Sequence, residues 1–206
     1  MITNNKELMR RTREILKGKW GLAVGGYFIY FLITVLVNST GYDFNENITI
    51  SWLSIVVTGP LTIGMALFSL YLARNKEASI SQIFYGFSDF LRGLVAYLLM
   101  CLFVILWSLL LIIPGIIALL AYSQVFFILA EDKSISARDA IRKSRAMMHG
   151  HKKQLFFLGF RFFGWFILSI LTLGIGLLWL MPYIHVTLAM FHDEVSGKHI
   201  ATPVVN

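Results

Sequence analysis

Residues 134–194 read SISARDAIRKSRAMMHG (134–150), HKKQLFFLGFRFFGWFILSIL (151–171), TLGIG (172–176) and LLWLMPYIHVTLAMFHDE (177–194). The opening part is amphipathic at helical spacing. Ala137, Ala140, Ile141, Ser144, Met147 and Met148 recur at i, i+3 and i+4, and Arg138, Arg142, Lys143 and Arg145 take the opposite side. Ser136 with Asp139 three residues on predicts an N-terminal cap, and His149-Gly150-His151-Lys152-Lys153 predicts the stop, a glycine among cations. From Leu155 to Leu173 the chain is apolar apart from Arg161 and two hydroxyls. It breaks at Leu173-Gly174-Ile175-Gly176, and a second apolar arm runs from Leu177 to Phe191. The stretch therefore predicts a basic interfacial helix followed by an apolar hairpin.

Such a hairpin belongs in lipid, and the whole chain has the same character. Hydrophobic residues make up 57% of its 206 positions, charged residues only 14%, and the mean hydropathy is +0.73, values that exclude an ordinary soluble domain. A helix needs about 20 residues to cross a bilayer. The apolar segments thus use more than half the chain and leave no room for a separate soluble domain.

The net charge of +7 follows from where the cations lie. Lys6, Arg10, Arg11, Arg13, Lys17 and Lys19 precede the first apolar segment, others lie between hairpins, and only Arg161 falls within an apolar arm. The positive-inside rule accounts for this pattern with both termini cytoplasmic, so no nucleic-acid partner is expected. Cys101 stands alone in an apolar run, which argues against a disulfide framework or a zinc cluster. No metal and no cofactor is expected.

The earlier chain reads as two looser copies of the same unit. Asn4 and Glu7 suggest the cap of a first amphipathic helix, and Trp20 to Val37 is too long for a cleavable leader, so it is read as a first span. Gly21 and Gly25 have the spacing of a close helix approach, though local packing is the better reading. The polar loop from Asn38 to Ser51 carries Asp43, Glu46 and the sequons Asn38-Ser-Thr40 and Asn47-Ile-Thr49, and Trp52 to Ala73 returns as a second span. Ile80, Ile83, Phe84, Phe87, Phe90 and Leu91 predict another amphipathic helix, capped by Ser79 or Ser81. Gly93 to Ile113 and Gly115 to Ala130 then form a second hairpin through Pro114-Gly115.

Gly18, Gly93 and Gly150 stand where each amphipathic helix ends, and Pro60, Pro114 and Pro182 near the start of each second arm. The expected architecture is an all-α, polytopic membrane protein. Six transmembrane helices form three hairpins, each preceded by a cytoplasmic interfacial amphipathic helix, in units 3–74, 79–131 and 134–194 of one membrane domain with pseudo-threefold character. An arm of sixteen residues such as Gly115 to Ala130 reaches only about 24 Å, short of the roughly 30 Å hydrocarbon core. Re-entrant second and third hairpins therefore remain the other reading.

At this point Ile113-Pro-Gly-Ile116, Ala121-Tyr-Ser123, Ala140-Ile-Arg-Lys-Ser144, Met148-His-Gly-His-Lys152, Leu171-Thr-Leu-Gly-Ile-Gly-Leu-Leu-Trp179 and Pro182-Tyr183 resemble a known family. They are similar to the bacterial integral membrane proteins grouped as domain of unknown function 975. A more distant likeness is to the membrane domain fused to some glycerophosphodiester phosphodiesterases, whose catalytic domain this chain lacks. The resemblance implies a protein of the bacterial cytoplasmic membrane and supplies no catalytic residues.

Polar groups within apolar arms are costly unless paired or facing a cavity. Gln124, Arg161 and His185 are the candidates, with Tyr122 and Ser123 beside them. Arg138, Arg142, Lys143, Arg145, His149, His151 and Lys152 are the candidates for contact with lipid headgroups. Glu131-Asp132 and Asp193-Glu194 end two second arms, where a helix C-terminus disfavours carboxylates, and pairing with the cations of residues 134–153 would explain them. No catalytic constellation is recognisable. The expectation is a non-enzymatic membrane scaffold or accessory protein that contacts anionic lipid or a membrane partner, either another membrane protein or a second copy of itself. The alternative is a small transporter or channel with Gln124, Arg161 and His185 on its path. A third reading, an enzyme acting on lipid headgroups, predicts an open carboxylate cluster.

Overall fold

The computed structural model describes residues 3–39 and 52–198. The rest of the polar loop, with Asp43, Glu46 and the Asn47 sequon, lies outside the described residues. Every regular element among the described residues is helical: α1 (Asn5–Leu16), α2 (Trp20–Ser39), α3 (Trp52–Ala73), a 3₁₀ helix (Ile80–Asp89), α4 (Phe90–Leu110), α5 (Ile112–Tyr122), α6 (Val125–Glu131), α7 (Ala137–Met147), α8 (Lys152–Leu171) and α9 (Leu177–Val195).

Local chemistry sets the ends of the two basic helices. The Asn4 side chain accepts from the Lys6 amide at 3.3 Å, and Glu7 instead takes Arg10 and Arg11 at 2.7 and 2.9 Å. The hydrogen bond from Arg10 holds the Glu7 carboxyl down at about 2. On α7 the Ser136 hydroxyl accepts from the Asp139 amide at 3.2 Å, as the sequence predicts. Gly18 and Gly150 follow the two helices at φ +79° and +84°, a left-handed turn that favours glycine.

Among the described residues five helical stretches are long and apolar enough to cross a membrane: 20–39, 53–73, 80–109, 112–131 and 152–171. The expected sixth, α9, falls outside that set. It carries His185, His192, Asp193 and Glu194, and much of its length is packed inside the protein against α1, α2, α3 and α8. Apolar side chains of α2, α4 and α8 face outward in long rows, including Phe31, Leu36, Leu102, Leu109, Phe160 and Leu171. Surfaces of this kind match a multi-pass membrane protein, where lipid covers them.

Three expectations change. The second amphipathic helix is not a separate α-helix lying flat. It is a 3₁₀ helix packed lengthwise on α3, with Gly64 against the Ile83 carbonyl and Gly86 against the Pro60 carbonyl, contacts that leave no room for a Cβ. The tighter backbone of a 3₁₀ turn suits that approach. Gly93 does not end this helix. It lies inside α4 against Pro60, while Gly18 and Gly150 do make turns. The prolines are not equivalent either: Pro114 lies in the first turn of α5, but Pro60 and Pro182 lie inside α3 and α9.

The fourth arm is also broken where a single helix was expected. Ser144 of α7 donates to the Ala121 carbonyl at 2.8 Å and accepts from the Gln124 amide at 3.2 Å. A hydroxyl inserted between a helical acceptor and donor interrupts the ladder, which separates α5 from α6. Helix α1 docks on α9 in a comparable way. Thr12 meets Thr187 at 3.1 Å, and Tyr183 donates to the Met9 carbonyl at 3.0 Å.

Candidate functional site

Two constellations stand out, one exposed and one buried. The exposed one is α7. Its Ala137, Ala140, Ile141, Ser144 and Met148 are buried, whereas Arg138, Arg142, Lys143 and Arg145 point outward. Because the buried side is anchored through Ser144, the cationic side has a fixed direction. Ser144→Ala is expected to destabilise the protein by about 1–3 kcal/mol, since it leaves the Gln124 amide and the Ala121 carbonyl unpaired. Thermal melting checks this, with Ser144→Thr keeping more of the stability than Ser144→Ala.

Among the described residues Arg142 reaches Asp139 at 3.7 Å, and neither Arg138 nor Arg145 has a carboxylate partner. Arg138, Arg142, Arg145 and Ile141 form one wall of a groove of about 680 Å³, and Phe103, Leu106 and Trp107 of α4 with Tyr122 of α5 form the other. Guanidinium groups along one edge and an apolar floor along the other suit a phosphate joined to a hydrocarbon chain. His149 is exposed just beyond α7, and His151 and Lys152 are half-buried at the start of α8.

The buried constellation joins the ends of α3, α6 and α9. Arg74 follows α3, and its guanidinium donates to Glu131 and to Asp193, the latter through Nη2 at 2.6 Å and Nε at 3.0 Å. Lys198 adds a contact to Glu131 at 2.7 Å. His192 is fully buried and stacked on Phe127, with Nδ1 3.1 Å from Gln124 Oε1 and Nε2 3.3 Å from Glu131 Oε2. The hydrogen bond to Asp193 raises the Arg74 pKa.

These partners correct the sequence-based pairing. Glu131 and Asp193 bind Arg74 and not the cations of α7, Glu194 accepts from the Thr3 amide at 3.2 Å, and Asp132 accepts from the Ser134 amide at 2.8 Å. The Ser134 hydroxyl holds the Asp132 carboxyl below the usual carboxylate range. Arg92 covers the end of α6 by donating to the carbonyls of Asp132 and Leu129 at 2.7 and 2.8 Å.

The intramembrane candidates occupy three different settings. Gln124 is fully buried and joins Ser123 and His192, His185 packs on Tyr27 with ring centroids 5.2 Å apart, and Arg161 is exposed on α8. Tyr122 lines the groove, and Ser123 donates to the Leu120 carbonyl at 2.9 Å. Arg74 and the setting of His192 between Gln124 and Glu131 are what spacing alone missed. The carboxylates at the two helix ends were the signal for them, because such groups need a cation nearby.

Neither the curated proteins nor the solved structures yield a match, so the likeness to phosphodiesterase membrane domains is not shown. A family model matches residues 1–121 and 108–199, nearly the full chain. Motif, helical content and matched length agree, and the chain belongs to the family described as Protein of unknown function (DUF975).

Proposed function

We propose that this protein is a non-enzymatic scaffold or accessory protein of the bacterial cytoplasmic membrane. Its six helical arms form three hairpins with both termini cytoplasmic, and α7 holds anionic lipid for a membrane-protein partner or a second copy. The observation that carries this reading is the set of outward cations on a docked helix, three of them along an apolar groove. Each cation near an anionic surface contributes about 1 kcal/mol. Helix α9, at 19 residues, reaches about 28 Å and serves as the sixth arm despite its polar end.

The competing readings gain little from the geometry. A transporter path would need Gln124, Arg161 and His185 to converge, and their separate settings lend it no support. A headgroup enzyme would need open carboxylates, and Glu131 and Asp193 are tied to Arg74.

The test replaces Arg138, Arg142, Lys143 and Arg145 together by glutamine. Anionic lipid co-purified per chain from mixed-lipid nanodiscs is expected to fall at least about tenfold. The melting temperature should barely change, because all four side chains are exposed. Unchanged lipid retention would remove the proposal.

A further inference from the structure

A second cavity, of about 310 Å³, lies beside the other basic helix. Arg13 of α1 and Trp20 of α2 line it together with Trp165, Trp179, Leu180 and Tyr183. Arg13 is exposed, with its guanidinium carbon 6.0 Å from the centre of the Tyr183 ring. Among the described residues it has no carboxylate partner, since Glu7 and Glu14 are taken by Arg10 and Arg11. The hydroxyls of the wall are occupied as well: Ser169 donates to the Trp165 carbonyl, Thr172 to the Ser169 carbonyl and Tyr183 to the Met9 carbonyl. One cation therefore faces a space walled by indole rings and aliphatic carbon.

The arrangement repeats the groove beside α7. One register carries Asn4, Leu8, Thr12 and Gly18 onto Ser136, Ala140, Ser144 and Gly150, and it carries Arg13 onto Arg145. A second register carries Ser169, Gly176 and Tyr183 onto Ser108, Gly115 and Tyr122. In both hairpins the glycine backs onto the serine: a Cβ on Gly176 would meet the Ser169 hydroxyl at 2.8 Å, and one on Gly115 would overlap Ser108. Each basic helix thus holds an arginine near a tyrosine beside a hairpin closed by serine against glycine. The walls differ, with three tryptophans at one site and two further arginines at the other.

We infer that the Arg13 cavity is a binding site for a long-chain fatty acid. The carboxylate meets Arg13, and the chain lies among Trp20, Trp165 and Trp179. A single cation matches a single negative charge, and the apolar lining matches an unbranched chain. The groove beside α7, with three arginines, suits a larger anionic headgroup.

Tryptophan fluorescence tests this directly, because bromine on an acyl chain quenches nearby indoles. In nanodiscs of zwitterionic lipid, dibromostearate is expected to quench saturably, whereas the methyl ester of the same chain quenches only in proportion to its mole fraction. Arg13→Gln should weaken the saturable phase about tenfold. Combined replacement of Arg138, Arg142 and Arg145 by glutamine should leave it unchanged, which separates this site from the α7 groove. Equal, non-saturating quenching by acid and ester would overturn the inference, as would an unaltered response in a folded Arg13→Gln protein. The acid and ester comparison, made in the protein with Arg138, Arg142 and Arg145 replaced by glutamine, decides the matter even where Arg13→Gln fails to accumulate.

Discussion

Arg74→Ala is expected to lower stability by about 3–5 kcal/mol, because it leaves the buried Asp193 carboxylate without its cation and takes one of three partners from Glu131. Asp193 is only 1% exposed and Glu131 16% exposed, and Arg74 is the cation they share. Glu131 keeps Lys198 and His192 after the substitution, so the main loss falls on Asp193. The three groups end α3, α6 and α9, so the variant should loosen the packing of these helices against one another. In detergent the melting temperature should drop on the order of 10 °C. Arg74→Lys should recover part of the loss, since a compact ammonium replaces the charge but not the forked geometry. A melting temperature unchanged in Arg74→Ala would show that the cluster is dispensable.

The other large effect belongs to the glycines between α3 and the following 3₁₀ helix. Valine at Gly64 or Gly86 would drive its side chain into a backbone carbonyl, of Ile83 in the first case and Pro60 in the second. Backbone cannot move aside as a side-chain tip can, so the cost is expected to exceed about 3 kcal/mol and to abolish accumulation of folded protein. Gly25→Val is the matched control. A Cβ there meets nothing within 4 Å, although the position belongs to the one GxxxG spacing in α2. Size-exclusion profiles of the three variants check the contrast: a monodisperse Gly64→Val protein would contradict the packing described.

The basic helices were legible in the chain because a 3.6-residue period displays both faces of a helix at once. The buried sets of α1 and α7 follow that period, and the caps Asn4 and Ser136 stand at their predicted places. What Ser144 does was not legible, since its partners Ala121 and Gln124 belong to a different element. The close approaches illustrate the same limit. The GxxxG spacing of Gly21 and Gly25 lies within one helix, whereas the contacts that form depend on how α3 meets the chain after it. At the buried cluster the carboxylates announced that a cation was needed, but not that it would come from Arg74, 119 residues away from Asp193. Proline and glycine positions misled for a related reason. They come in the same order in the three units, glycine before proline, yet Gly93 and Pro60 pack against each other while Gly18 and Gly150 turn the chain.

The central claim is that α7 is a lipid-binding surface, and a structure in nanodiscs containing phosphatidylglycerol tests it most directly. Phosphate density is expected between Arg138, Arg142 and Arg145, with an acyl chain running along Phe103, Leu106 and Trp107. A bare α7 groove, together with a hydrated passage through Gln124 and His192 open to both sides, would contradict it and turn attention to transport.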